Sequence, residues 1–145
     1  MIITLDTGVL VRATLRSHGP AHRLLEAIAA DPAHVLALSP FIIGEVGKAL
    51  SYPRMAALLG ITPEEIDTHI AYLRTVSRLV EPPAGIPVVL NDPEDDPVVY
   101  TAIGACADVL CTRDRHFYAP NVIALCQRYK IDVMDDVQLL SKLRA

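Results

Sequence analysis

Two kinds of hydrophobic pattern alternate along the chain. Short apolar runs predict buried strands, and longer segments in which apolar residues recur every three or four positions predict helices. The predicted strands cover Ile2–Leu5, Val35–Leu38, 109–112 and 131–134. Because helical patterns lie between and after these strands, the sequence predicts the strand–helix units of an α/β protein.

Two of the predicted helices begin at a recognisable cap. Ser39 and Thr62 are good N-cap residues, and each is followed by a proline at the first helical position. Glu65, three residues after Thr62, completes the pattern of a capping box. Other helices are predicted directly after the first strand, before the stop at Asp31-Pro32, over 96–106 and 122–130, and from about 136 onwards.

The element order predicts one domain spanning residues 1–145. Short apolar strands separated by helices, without an internal repeat, favour a three-layer α/β/α fold with a mostly parallel central sheet. Ligands of such folds bind beyond the carboxyl ends of the strands. Asp6 and Asp114 each lie just past the end of a predicted strand, so we expect both at this edge of the sheet.

Composition excludes several other classes of protein. Hydrophobic residues make up 52% and charged residues 21% of the 145 positions, which is typical of one globular domain. No apolar run reaches the roughly 20 residues of a membrane-spanning helix, and the N-terminus lacks the basic start of a signal peptide. We therefore expect a cytoplasmic protein. The three cysteines form no C-x-x-C pair and predict neither a disulfide framework nor a zinc site; we expect them to fill apolar space.

The net charge of -4 argues against a protein that holds nucleic acid mainly through a broad basic surface. It is compatible with phosphate chemistry, because carboxylates can hold divalent cations that supply local positive charge.

Four segments carry acidic residues in a distinctive order: 5–10, 39–45, 95–102 and 112–117. In order and spacing they resemble the PIN-domain nucleases, which include the VapC-like toxins of bacterial toxin–antitoxin pairs. The resemblance covers almost the whole chain. It implies a metal-dependent endoribonuclease that hydrolyses phosphodiester bonds of single-stranded or structured RNA, with an antitoxin protein as a partner.

The resemblance also implies a set of site residues. The acids that would hold one or two Mg²⁺ or Mn²⁺ ions are Asp6, Glu45, Asp96 and Asp114. Thr7 and Thr112 would orient these carboxylates without touching the metal. An all-oxygen donor set suits these hard cations, which keep several waters and activate one of them for attack on phosphate.

The chain departs from the family pattern at two positions. Gly8 stands where many members carry a polar Asn or Ser, which places one contact to metal-bound water or phosphate in question. His116 stands where some members carry a further acid, which leaves the number of metal ions open, and we do not expect His116 to be a ligand.

Each acid also has a structural alternative. Asp6 or Asp96 taken alone would be interpreted as a helix cap. Glu45 lies in an apolar helical segment, where an unpaired carboxylate is costly and requires a cation or an arginine partner. Asp95 is the reserve ligand, whereas Asp92 and Glu94 are interpreted as solvated loop charges.

Two further expectations concern the acids. If the four crowd together without metal, at least one pKa is raised. Removal of Asp96 would then abolish activity without loss of stability, whereas removal of a structural cap would cost about 0.5–2 kcal/mol and spare any chemistry.

Basic and aromatic residues are candidates for contacts to RNA. The basic candidates for phosphate contacts are Arg12, Arg16, Lys48, Arg54, Arg113 and Arg115, with ordinary surface charge as the alternative for each. Tyr72, Tyr100 and Tyr118 are candidates for stacking on unpaired bases, with a place at the edge of the core as the alternative.

The sequence leaves alternatives to this function and also bears on the oligomeric state. A haloacid-dehalogenase-like phosphohydrolase would need a second aspartate two positions after Asp6, where Gly8 stands. A degenerate PIN module that binds RNA or protein, and an RNA-processing nuclease that is not a toxin, remain alternatives. Apolar surface on the helix over 62–77 and near the C-terminus, together with the resemblance, predicts a homodimer.

Overall fold

A five-stranded, all-parallel sheet forms the centre of the computed structural model, which describes residues 1–14, 18–83, 85, 87–89 and 93–144, with Glu94 described by its backbone alone. Its strands are β1 (Ile2–Leu5), β2 (Val35–Leu38), β3 (Ser77–Leu79), β4 (Val109–Cys111) and β5 (Asp132–Met134). They lie in the order β3-β2-β1-β4-β5, and every neighbouring pair is parallel. The predicted mostly parallel sheet is thus confirmed.

Eight α-helices accompany this sheet within the described residues. They are α1 (Thr7–Arg12), α2 (Pro20–Ala30), α3 (Pro40–Ser51), α4 (Pro53–Leu59), α5 (Pro63–Val76), α6 (Asp96–Gly104), α7 (Pro120–Arg128) and α8 (Asp136–Arg144). Short 3₁₀ turns cover Pro93–Asp95 and Arg115–Tyr118. Helix α2 packs against α8, and α3 packs against α5. The three-layer α/β/α class is confirmed.

The central strand β1 marks the point where the strand order reverses. The chain proceeds from β1 to β2 and β3 on one side, and then crosses to β4 and β5 on the other. Parallel pairing aligns Leu5 with Cys111, and the amide of Asp6 donates to the carbonyl oxygen of Cys111 at 3.0 Å. The ends of β1 and β4 therefore lie side by side, at the topological switch point where α/β folds bind ligands.

The predicted caps form as expected. The Ser39 side chain accepts a hydrogen bond from the amide of Ile42 at the start of α3. At the start of α5 the Thr62 hydroxyl accepts from the amide of Glu65 at 3.2 Å, and the Glu65 carboxylate accepts from the amide of Thr62 at 3.2 Å. Ser39 also accepts a bond from the Thr101 hydroxyl at 2.9 Å, which joins the start of α3 to α6.

Two elements were not predicted, β3 and α4. Strand β3 follows α5 without a break, and both Arg78 and Leu79 are exposed on this edge strand, so no buried alternation marks it. Helix α4 has no buried residue and therefore no strong apolar period. The apolar segment over 88–90 lies partly outside the described residues; Val88 and Val89 are buried without joining the sheet.

The cysteines differ from one another in burial. Cys111 on β4 and Cys126 on α7 are buried, as expected for cysteines that fill apolar space. Cys106 is exposed and has a positive φ of 54°, just after the end of α6, so that expectation was wrong there. None of the described helices is both long and apolar enough to cross a membrane.

We expect the capping box to stabilise the domain measurably. Thr62→Ala removes the hydroxyl that accepts from the Glu65 amide and should lower the free energy of unfolding by about 1 kcal/mol. Thr68→Ala, an exposed substitution on the same helix, should change it by less than about 0.5 kcal/mol. Urea denaturation of both variants measures the difference, and equal midpoints would show that the cap contributes nothing.

Candidate active site

A cavity of about 270 Å³ opens where β1 and β4 end. It is lined by Asp6, Thr7, Gly8, Arg12, Asp95, Val98, Arg113, Asp114 and Phe117. These residues come from the turns after the two strands, the start of α1, and the segment that leads into α6. The cavity therefore combines three carboxylates with two guanidinium groups at the carboxyl edge of the sheet.

Asp6 is the most enclosed acid of this cavity. Asp6 is 6% exposed and is the N-cap of α1. One carboxylate oxygen, Oδ1, accepts from the amide of Val9 at 2.8 Å, and the other, Oδ2, accepts from the hydroxyl of Thr112. The structural alternative for Asp6, a helix cap, is thus part of the geometry, and it fixes the carboxylate at the cavity wall.

Thr112 joins the two strand ends. Its hydroxyl donates to Asp6 and accepts from the amide of Asp114 at 3.0 Å. The carbonyl oxygen of Thr112 in turn accepts from the Tyr118 hydroxyl at 2.8 Å. Thr112 is fully buried, so these bonds hold in a region that excludes water. Thr7 lines the same cavity but forms no hydrogen bond to a carboxylate among the described residues.

Asp114 lies at the more open side of the cavity. Its side chain is 37% exposed, and its Oδ1 accepts from the amide of His116 at 2.9 Å, which caps the following 3₁₀ turn. The ring nitrogen Nδ1 of His116 is 3.5 Å from the same oxygen. His116 does not line the cavity.

Burial raises the pKa of Asp6. Desolvation is the largest cause, and the bonds from Thr112 and Val9 and the charge of Arg12 oppose it. The nearby Asp114 raises the pKa further but is the smallest influence. The expected acid with a raised pKa is therefore present, although its main cause is burial and not crowding of like charges.

Asp96 is not brought to the cavity. Its Oδ1 accepts from the amides of Val88 at 3.1 Å and Val89 at 2.7 Å, which fastens the incoming loop to the start of α6. The neighbouring Asp95 lines the cavity instead. The two acids are adjacent in sequence and diverge because consecutive positions at a helix start point in directions roughly 100° apart.

Glu45 is half-buried on α3 and does not line the cavity. Within the described part of the chain it forms neither a hydrogen bond nor an ion pair, so the alternative of an arginine partner is not found there. Of the four acids predicted as ligands, the structure thus brings together Asp6 and Asp114 and leaves Glu45 and Asp96 outside the cavity wall.

The donor chemistry of the lining acids suits a hard cation, because all three are carboxylates. Across the residues that the structure describes, however, no three His, Cys, Asp or Glu side chains form a group compact enough to hold a metal ion. The acids surround the cavity and are not drawn together into a preformed ligand cluster.

Sequence reasoning missed Asp136. This residue is 1% exposed in the first turn of α8, and its Oδ1 accepts from Arg113 Nε at 2.5 Å. Arg12 Nη2 is 4.0 Å from its Oδ2. An aspartate at a helix start is usually a cap, so the sequence carries no signal for this contact.

The remaining basic candidates lie elsewhere. Lys48, Arg54 and Arg115 do not line the cavity. Arg16, Asp92 and the Glu94 side chain lie outside the described residues. Tyr72 and Tyr118 are each 39% exposed, and the hydroxyl of Tyr118 is bonded to Thr112 as described above.

The chain belongs to the PIN-domain family, because the family model described as "PIN domain" matches residues 3–116, more than half of its length. This confirms the predicted family, and the matched range contains all four predicted acids, Asp6, Glu45, Asp96 and Asp114, as well as Asp95. PIN domains are in general nucleases. No curated protein matches the sequence significantly.

A solved structure supports the same fold. VapBC2 from Rickettsia felis, bound to a DNA fragment from their promoter, contains a chain that is 16% identical to this one. The similarity has a TM-score of 0.59 and covers 93% of this chain and 98% of that chain. At this identity the likeness supports the PIN-like α/β fold and carries no residue-level argument.

The raised pKa of Asp6 predicts a pH-dependent stability. In the metal-free protein the folded state holds the Asp6 proton more tightly than the unfolded chain, so stability falls as the pH rises from the ordinary aspartate range through the folded pKa. Asp6→Asn removes this loss. Its melting temperature in EDTA should therefore exceed that of wild type by an amount that grows from acidic to neutral pH.

The matched control is Asp67→Asn, at an exposed aspartate on α5. The difference between its melting temperature and that of wild type should stay constant over the same pH range. If the melting temperature of Asp6→Asn also differed from that of wild type by a constant amount at every pH, burial of a charged carboxylate at this position would not limit stability.

Proposed function

We propose that this chain is a Mg²⁺- or Mn²⁺-dependent endoribonuclease that hydrolyses phosphodiester bonds of RNA. The observation that carries the proposal is the pair Asp6 and Asp114, joined through Thr112 at the topological switch point of a PIN-domain chain. Asp95 supplies a third carboxylate to the same cavity. Such a donor set is the kind that holds a hard divalent cation against a phosphate.

The residues lining the cavity that would hold the cation are Asp6, Asp95 and Asp114. When bound, it supplies an activated water and offsets negative charge on the reacting phosphate. Thr112 fixes the orientation of the Asp6 carboxylate, and the α1 cap fixes it from the other side. These two bonds limit the rotation of the Asp6 side chain, so its carboxylate keeps one orientation with or without a cation.

Asp95 replaces Asp96 in this proposal because only Asp95 lines the cavity, whereas Asp96 is committed to two loop amides. Glu45 remains a proposed ligand on a different ground. It is a half-buried carboxylate without a partner among the described residues, and such a group gains most from a cation.

We further propose that the chain is the toxin component of a toxin–antitoxin pair and that an antitoxin protein is its partner. Membership of the PIN-domain family and the fold shared with a chain of VapBC2 support this role. Retention of a costly buried carboxylate in the cavity argues for a working nuclease over a module that only binds RNA or protein.

Adjacent acids provide a matched test of the site. Asp95→Asn should abolish cleavage of single-stranded RNA in Mn²⁺, because it removes one of the carboxylates that line the cavity. Asp96→Ala should melt earlier, with a loss of about 1–3 kcal/mol from two unpaired loop amides, and should still cut. EDTA should abolish cleavage by wild type.

Three results would contradict the proposal. Cleavage that continues undiminished in EDTA excludes the metal. An Asp95→Asn variant that cuts at the wild-type rate removes Asp95 from the site. An Asp96→Ala variant that keeps its stability and loses cleavage restores Asp96 as the ligand that the sequence pattern suggested.

We also propose that the chain forms a homodimer. Helix α4 has no buried residues. Tyr52, its N-cap, is 57% exposed, and Leu58, near its C-terminal end, is 78% exposed. Light scattering at micromolar concentration should give twice the monomer mass of 15.8 kDa. Leu58→Glu should shift the mass toward the monomer, whereas Gln127→Glu on exposed α7 surface should not; a monomeric wild type would exclude the dimer.

A further inference from the structure

Two arginines at the edge of the acidic cavity share one buried carboxylate. Arg12 and Arg113 both line the cavity, and both approach Asp136, which is 1% exposed. The same three residues also line a smaller adjoining cavity of about 110 Å³. Arg12 and Arg113 lie within the segment 3–116 that matches the family, and Asp136 lies beyond it.

The bond to Asp136 leaves the outer edge of Arg113 available. Nε donates to Asp136 Oδ1 at 2.5 Å, and no other described residue accepts a hydrogen bond from this guanidinium. The side chain is nevertheless 47% exposed. The Nη1 and Nη2 fork therefore faces a ligand or solvent while the Nε edge is fixed, and such a fork matches two oxygens of one phosphate.

The guanidinium of Arg12 lies next to position 8, where the chain has no side chain. A Cβ placed on Gly8 would lie 3.5 Å from Arg12 Nη1 and 3.6 Å from Asp6 Oδ1. Residues 8 and 12 are one turn apart on α1, so they share a face of the helix. An Asn or Ser at position 8, as in many relatives, would extend into the space that the guanidinium of Arg12 uses here.

Arg12 also carries an unsatisfied donor. Its Nη2 is buried and has no hydrogen-bond partner among the described residues, since Asp136 Oδ2 at 4.0 Å is beyond hydrogen-bond distance. A buried donor without an acceptor is costly, so a small movement of this side chain that brought Nη2 to an anionic oxygen would be favourable.

We propose that Arg12 and Arg113 bind the phosphodiester backbone of the substrate at this cavity, and that Asp136 is the residue that positions them. The inference rests on the proposed nuclease function. An acidic cavity repels a phosphate, and two guanidiniums on its wall offset that repulsion. Asp136 restricts both long side chains before the substrate arrives, which lowers the entropy lost on binding.

Asp136 is suited to this role by its own anchoring. Its Oδ1 also accepts from the amide of Val137 at 3.2 Å, within α8. Helix α8 packs against α2 and so fixes the carboxylate to the body of the domain. A buried carboxylate that lost its arginine would be strongly unfavourable, so the contact is maintained in the folded state.

The test separates binding from cleavage. The probe for binding is a fluorescent 2′-O-methyl oligonucleotide, which resists cleavage, titrated by anisotropy in EDTA. Arg12→Gln and Arg113→Gln should each weaken binding roughly tenfold, as expected for one lost charge-assisted hydrogen bond. Each should also reduce the slope of log affinity against log salt by about 0.7. Arg128→Gln, an exposed charge on α7, should stay close to wild type.

The positioning role has its own measurements. Asp136→Ala should raise KM for RNA cleavage in Mn²⁺ several-fold and change kcat much less, and Asp136→Asn, which keeps an acceptor for Arg113 Nε, should restore part of the loss. Melting curves identify a variant that fails to fold, in which case the Asn variant decides. Gly8→Asn should weaken binding about as much as Arg12→Gln, and the two changes combined should not add.

Each outcome decides a different claim. A wild type that binds the oligonucleotide through these arginines but cuts no RNA overturns the proposed nuclease and leaves this inference standing. A wild type that cuts RNA while both arginine variants bind normally overturns the inference alone. Aspartate variants that bind like wild type overturn the role of Asp136, and a wild type that neither binds nor cuts overturns both proposals.

Discussion

Parallel pairing of β1 with β4 is the constraint on which the site depends. It aligns Leu5 with Cys111, so the next residues of both strands emerge at one edge of the sheet. The hydroxyl of Thr112 then connects the Asp6 carboxylate with the backbone of Asp114, although 106 positions separate Asp6 from Thr112. No local feature of either segment produces this proximity. The proximity results from the topology of the sheet, which also determines where the cavity lies.

The enclosure of Asp6 has opposite consequences for stability and for the proposed chemistry. Burial raises its pKa and opposes ionisation, while the Val9 amide and the Thr112 hydroxyl favour the charged form. The fold thus keeps a carboxylate in a place where its charge is poorly solvated. Such a group binds a cation more strongly than a solvated one, because less water must be displaced from it.

Sequence patterns predicted the elements that bury one face. They failed for elements in which buried apolar residues do not recur at regular positions. Strands β1 and β2 and the capped helices α3 and α5 follow from apolar spacing and cap residues. Strand β3 exposes Arg78 and Leu79, and α4 buries nothing, so neither leaves a signal. For the acids, the pattern predicted Asp96 as a ligand, whereas in the structure Asp95 lines the cavity and Asp96 accepts hydrogen bonds from the loop amides at 88 and 89.

Charge balance around the cavity links these features. Three carboxylates line it in a chain whose net charge is already -4, and the proposed RNA substrate is itself anionic. In the proposed function a cation would neutralise part of this field where the acids hold it, and the guanidiniums of Arg12 and Arg113 would act along the cavity wall. Gly8 lies between the two groups, because a Cβ at this position would contact both Arg12 Nη1, at 3.5 Å, and Asp6 Oδ1, at 3.6 Å. The position where the family pattern has a polar side chain is thus, in this chain, a glycine beside the guanidinium of Arg12.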